Sequence, residues 1–68
     1  MKLTYDLETD SLYVNLRSGP GSDSQEIAPD VVADFDAEGR LIGLDIQHAS
    51  TTIEVAGLQV EGLAALAS

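Results

Sequence analysis

The stretch from Asp34 to Asp45 carries the densest set of potential ligands in the chain. Asp34, Asp36 and Glu38 stand at alternate positions, Gly39 follows, Leu41 fills an apolar slot, and Asp45 falls where a calcium-binding loop takes its last ligand. Such loops use oxygens of alternate residues, a glycine at the sharp turn and a bidentate Glu at the end. Asp45 is shorter than the Glu that position wants. The motif also needs a helix on each side, whereas Val31-Val32 and Leu44-Asp45-Ile46 read as strands. An ordinary hairpin turn with exposed acids is therefore expected, and no metal or cofactor is. Asp34, Asp36 and Asp45 are the ligand candidates of the alternative, a divalent-cation-binding module.

A second set could do acid–base work: Tyr5, Tyr13, His48 and the many carboxylates. Catalysis would need His48 beside a carboxylate in a pocket, and so short a sheet forms one only between subunits. A lone histidine at a strand end is expected to be solvated or capping. Tyr5 and Tyr13 are expected as cross-strand neighbours, a pairing worth roughly 0.2–1 kcal/mol. Exposed together they make a binding patch, and with Leu41 they are the interaction candidates. Ser18-Gly19-Pro20-Gly21 lacks the lysine and spacing of a phosphate loop.

These residues must be held by short alternating segments. Lys2 to Tyr5 places Leu3 and Tyr5 on one face, and Ser11 to Arg17 places Leu12, Val14 and Leu16 opposite Tyr13, Asn15 and Arg17. With the polar turn between them they form a hairpin. Ser18 to Asp23 is the strongest breaker and is expected to be an exposed loop. Ser24 to Ala28 reads as a short strand ending at Pro29. Asp30 to Asp36 and Arg40 to Gln47 form a second hairpin around Asp36-Ala37-Glu38-Gly39.

Two registers are open there. A four-residue turn sets Ala33 and Phe35 on the Ile42 face. A bulged turn with left-handed Gly39 sets Val32 and Asp34 there instead. The first buries less charge and is preferred.

Thr51-Thr52-Ile53-Glu54 fits a capping box, which would start a helix ending near Gly57. Ile53, Val55 and Val60 also suit a strand. Leu and Ala predict a short helix over Gly62 to Ala67. The expected fold is α+β, mainly β: one domain over residues 1–68, with an antiparallel sheet of about four strands in two hairpins and a short C-terminal helix.

Size and charge bound the function. The apolar fraction is 44%, which argues against global disorder. A chain of 68 residues without cysteine has no disulfide to support a small core. The inward set of Leu12, Val14, Leu16, Val31, Ala33, Phe35, Ile42, Leu44 and Ile46 is too broad for one short helix to cover. A homo-oligomer is expected. Net charge is −9, with only Lys2, Arg17 and Arg40 as strong bases, so nucleic acid and anionic membranes are disfavoured and a basic protein is the favoured partner. The opening residues lack a signal-peptide pattern, no run is long enough to span a membrane, and a cytoplasmic location is expected.

Three blocks of the chain resemble a known family. They are Lys2-Leu3-Thr4-Tyr5-Asp6 with Asp10-Ser11-Leu12-Tyr13-Val14-Asn15-Leu16; Glu26-Ile27-Ala28-Pro29-Asp30-Val31-Val32-Ala33-Asp34-Phe35-Asp36; and Gly39-Arg40-Leu41-Ile42-Gly43-Leu44-Asp45-Ile46 with Ala49-Ser50. Together they are similar to the prokaryotic family catalogued as domain of unknown function 2283. The resemblance implies a short β-rich protein with no catalytic residues to carry over. Some members resemble the second product of a two-gene pair whose neighbour looks like a small toxin, which implies an antitoxin-like role. The stretch Gly43 to His48 departs from the family pattern. The expected function is thus a non-enzymatic interaction module. The alternatives are the cation module and a small enzyme with its site at a subunit interface.

Overall fold

The structure is a computed structural model and describes residues 1–62. Five strands precede two short helical turns. The strands are β1 (Lys2–Asp6), β2 (Ser11–Asn15), β3 (Asp23–Ala28), β4 (Val31–Phe35) and β5 (Leu41–Ile46). A helix, α1 (Ala49–Thr52), and one 3-10 turn (Val55–Gly57) follow. All five strands lie in one antiparallel sheet in the order β1-β2-β5-β4-β3. The fold is mainly β, as expected, but with five strands rather than about four. The two hairpin blocks are not separate layers: β2 pairs with β5 and fuses them. Asp23–Ala28 is a full edge strand on β4, interrupted by an irregularity between Glu26 and Ala28, just before Pro29.

The pairings define rows across the sheet. On one face run Leu3, Val14, Leu44, Ala33 and Gln25, then Tyr5, Leu12, Ile46, Val31 and Ala28. On the other run Lys2, Asn15, Gly43, Asp34 and Ser24, then Thr4, Tyr13, Asp45, Val32 and Glu26. The first face is apolar and the second polar. The expected pairing of Tyr5 with Tyr13 is therefore corrected. Tyr5 stands opposite Leu12 and Tyr13 opposite Thr4, so the two rings lie on opposite faces. Side chains alternate along a strand, and this register puts odd positions of β1 against even positions of β2.

The β4–β5 connection takes the turn of one register left open by the sequence and the facing of the other. The Asp36 amide donates to the Arg40 carbonyl, the Gly39 amide donates to the Asp36 carbonyl, and Gly39 has φ 81°. That is the bulged turn with a left-handed glycine, not the four-residue turn. Alone it would put Val32 and Asp34 on the Ile42 face. A second irregularity follows at once: Phe35 pairs with Leu41 but Asp34 pairs with Gly43. The extra residue, Ile42, restores the preferred facing, with Ala33 opposite Leu44. The turn expected from the sequence is wrong and the facing is right.

Two pieces of chain cover the apolar face. Ala49, wholly buried, sets α1 down on Leu12 and Ile46, with Val14, Val31 and Ile53 packed around them. The connection from β2 to β3 passes over Ile42, since a side chain at Gly21 would meet the Ile42 Cδ1 atom at 3.6 Å. The Ser22 amide then donates to the Phe35 carbonyl at 2.8 Å.

A short C-terminal helix is present, as expected, but its position is a correction. Thr51–Glu54 does not start it; α1 ends at Thr52, and Ile53 is extended. The hydroxyls of Thr51 and Thr52 donate backwards, to the carbonyls of His48 and Gln47, so neither caps a following turn. Of the helix predicted over 62–67, Gly62 lies outside any helix with φ 76°, and the rest falls outside the described residues.

Gly43 is a position where the fold requires a missing side chain. A Cβ there would overlap the Tyr13 hydroxyl and ring. Gly43→Ala should lower stability by about 1–3 kcal/mol through overpacking, a melting shift of roughly 4–8 °C per kcal/mol for a domain this small. Thermal unfolding checks this. Introduced into Tyr13→Ala, the same change should cost much less; an equal cost in both backgrounds would refute the steric account.

Candidate interaction site

The polar face is organised around Asp34. Its carboxylate accepts from the Tyr13 hydroxyl at 2.9 Å and from the Ser24 hydroxyl at 2.6 Å. The bond to Asp34 raises the Tyr13 pKa above its ordinary value. Asp45 stands directly opposite Tyr13 across the β2–β5 pair. Asp36 lies in the turn, where it accepts from the amides of Glu38 and Arg40 and from Arg40 Nε. Those donors, the Arg40 amide first, hold its carboxyl below the usual carboxylate range. Asp34, Asp36 and Asp45 do not gather as ligands: among the described residues no group of three or more His, Cys, Asp or Glu is placed to hold a metal. The flanks of the turn are strands rather than the helices a calcium loop needs.

The end of the sheet away from that turn holds a cluster centred on Asp10. Its backbone carbonyl accepts from the Ala49 amide at 2.8 Å. Its carboxylate accepts from the Ser50 amide at 3.1 Å, the Ser50 hydroxyl at 2.6 Å and the Tyr5 hydroxyl at 2.6 Å. A carboxylate forty residues away thus caps α1, whose own N-cap, His48, makes no side-chain cap bond. Asp10, Asp30 and His48 all have left-handed backbones. His48 Nδ1 lies 3.3 Å from Asp30 Oδ2, and the Gln47 amide donates to the Asp30 carbonyl.

This cluster contains a serine, a histidine, a tyrosine and carboxylates, yet its arrangement suits anchoring better than catalysis. Ser50 donates to Asp10, whose pKa is lowered first by the Ser50 hydroxyl and then by Tyr5, which makes it a weaker base. Tyr5 is shifted up, chiefly by its bond to Asp10, which makes it a weaker acid. Sequence reasoning missed Asp10 because its partner is so remote. The only local signal was an Asp closing a turn, the type that tolerates a left-handed backbone.

A groove of about 500 Å³ opens on the apolar face, lined by Leu3, Tyr5, Leu12, Ile53, Glu54, Ala56 and Leu58. The interaction candidates are therefore dispersed. Tyr5 borders the groove, Tyr13 lies on the polar face, and Leu41 sits at the far end of β5 beside the 36–40 turn. No helix among the described residues is long and apolar enough to cross a membrane.

The Asp10 cap carries a pH dependence. A carboxyl whose folded pKa is depressed stabilises fully above its unfolded value, near 3.9, and that stabilisation is lost as pH falls through the folded value. Tyr5, shifted up, contributes fully below its unfolded value, near 10, and the contribution is lost at higher pH. Melting temperature should hold between these limits and fall below about pH 4. Asp10→Asn should lower the neutral melting temperature and flatten the acid fall. An unchanged acid limb in this variant would show that the cap is not the source.

No curated protein and no solved structure gives a significant match to the chain. A family model does: it covers residues 2–50, spanning all five strands and the Asp10–Ser50 cap, and is described as a protein of unknown function, DUF2283. The chain belongs to that family.

Proposed function

We propose that this chain is a non-catalytic protein-interaction module whose acidic sheet face receives a basic protein, in the manner of an antitoxin. The supporting observation is the charge on the polar face. Among the paired strand residues, Asp6, Glu26, Asp34 and Asp45 lie there, with Lys2 as the one base. Arg40 is already engaged by Asp36 and Glu38 at the turn. Four carboxylates on one flat face attract a cationic surface and accelerate its encounter. The proposed setting is the cytoplasm of a prokaryotic cell. The hydrogen-bond directions at Asp10 support a non-enzymatic reading.

Co-expression with the product of the adjacent gene, followed by co-purification, tests this. A complex is expected at roughly 50 mM salt, weakened at about 0.5 M as charge pairs are screened. Reversing Glu26 and Asp45 to Lys should weaken it by about tenfold or more. Absence of a complex at low salt, or a complex indifferent to both salt and the reversal, contradicts the proposal.

A further inference from the structure

Among the described residues the sheet has two free edges, β1 and β3, and they differ. β3 is broken by the irregularity between Glu26 and Ala28, ends at Pro29, and carries Asp23 and Glu26 with no base. Such features keep an edge from pairing. β1 has neither irregularity nor proline. It pairs with β2 in unbroken register, every residue is exposed, and its base and its acid stand at opposite ends.

Backbone directions show what β1 offers. Along a strand, successive residues turn their amide and carbonyl to opposite sides. The Leu16 amide faces β5, where it donates to the Ile42 carbonyl at 2.8 Å. The Gln47 amide, donating to the Asp30 carbonyl, sets the same phase from the other side of β5. Counting back along β2, Tyr13 faces β1, and its partner Thr4 faces β2 in return. Lys2 and Asp6 do likewise, opposite Asn15 and Ser11. Leu3 and Tyr5 therefore direct their amides and carbonyls away from the sheet.

We propose that this edge pairs with the same edge of a second copy, antiparallel about a twofold axis at Thr4. The argument is charge complementarity in a register that the backbone permits. Outward groups must meet outward groups, so Leu3 bonds with the partner's Tyr5, and Tyr5 with the partner's Leu3. Lys2 then stands opposite the partner's Asp6, and Asp6 opposite the partner's Lys2. Both contacts fall at non-hydrogen-bonded positions, where opposed side chains come closest. Thr4 meets the partner's Thr4. A shift of two residues, the smallest that keeps outward groups matched, sets Lys2 or Asp6 against the partner's Thr4 instead. Parallel alignment sets like charges together, which repel. Among the described residues neither Lys2 nor Asp6 forms an ion pair, and Asp6 uses only Oδ1, on the Glu8 amide. Opposed residues share a face, so the joined sheet keeps one polar and one apolar side.

Sedimentation equilibrium of the intact chain, from about 5 to about 500 µM, reads this association with no basic partner present. The expected result is a mass rising toward twice 7.1 kDa. Lys2→Asp should raise the dissociation constant about tenfold or more, because acid meets acid at both symmetry-related contacts. Asp6→Lys should do the same, although it reduces the net charge of −9 that drives two copies apart. Both changes together should return the constant to within about threefold of the original. Leu3→Pro removes an outward amide and should abolish the dimer while the β1–β2 ladder and the circular dichroism spectrum persist. A monomer at every concentration, as when another segment of the chain takes the edge, overturns the proposal. So does a dimer that the single charge changes leave intact, or one that the double exchange fails to restore.

Discussion

The pairing of β2 with β5 is the contact on which the molecule depends. It joins two pieces of chain that are each too small to persist. An isolated two-stranded hairpin is marginal in water, and β1–β2 alone is such a hairpin. Setting Leu12 against Ile46 and Val14 against Leu44 turns a hairpin and a three-stranded meander into one five-stranded sheet. The helix depends on the same join, because Ala49 rests on one residue from each block, Leu12 and Ile46. The Leu16 and Arg17 amides, both donating to the Ile42 carbonyl, extend the seam as β2 ends.

From that seam follow two faces with different chemistry. The rows crossing it carry apolar side chains on one side and carboxylates, hydroxyls and a glycine on the other. Gly43 lets Tyr13 lie flat on the polar face and reach Asp34, so the seam's two central strands also anchor the hydroxyl–carboxylate network. Asp10 closes the structure at its other end by holding α1 against the sheet through Ser50 and Ala49. No disulfide is available, and cross-chain bonds from one carboxylate take on part of that restraining role.

What the sequence disclosed was what depends on local alternation. The strands around Leu12, Val31 and Ile42 and the direction of their apolar faces were legible because period two survives any turn. The turn after Asp36 was misread because two single-residue offsets, at Gly39 and Ile42, cancel in facing while differing in geometry. Tyr5 and Tyr13 were placed together because hairpin register is set by the turn, and a one-residue difference reverses the face. The full length of the edge strand Asp23–Ala28 is hard to read because its side chains are mostly polar and give no apolar alternation, although backbone pairing and the Ser24–Asp34 bond tie it to β4. The capping-box pattern at Thr51 misled because tertiary contacts from Asp10 start the helix earlier. Asp10 and Ser50 make a cap that no local window contains.

Native-state hydrogen exchange measures the seam most directly. The account predicts that β2 and β5 amides, together with that of Leu16, form the slowest-exchanging class, opening in a single global event, while β1 and β3 amides open earlier. Separate protection of the β1–β2 pair, with β5 amides unaffected by its opening, would mean that the sheet is two independent hairpin blocks in contact and would contradict it.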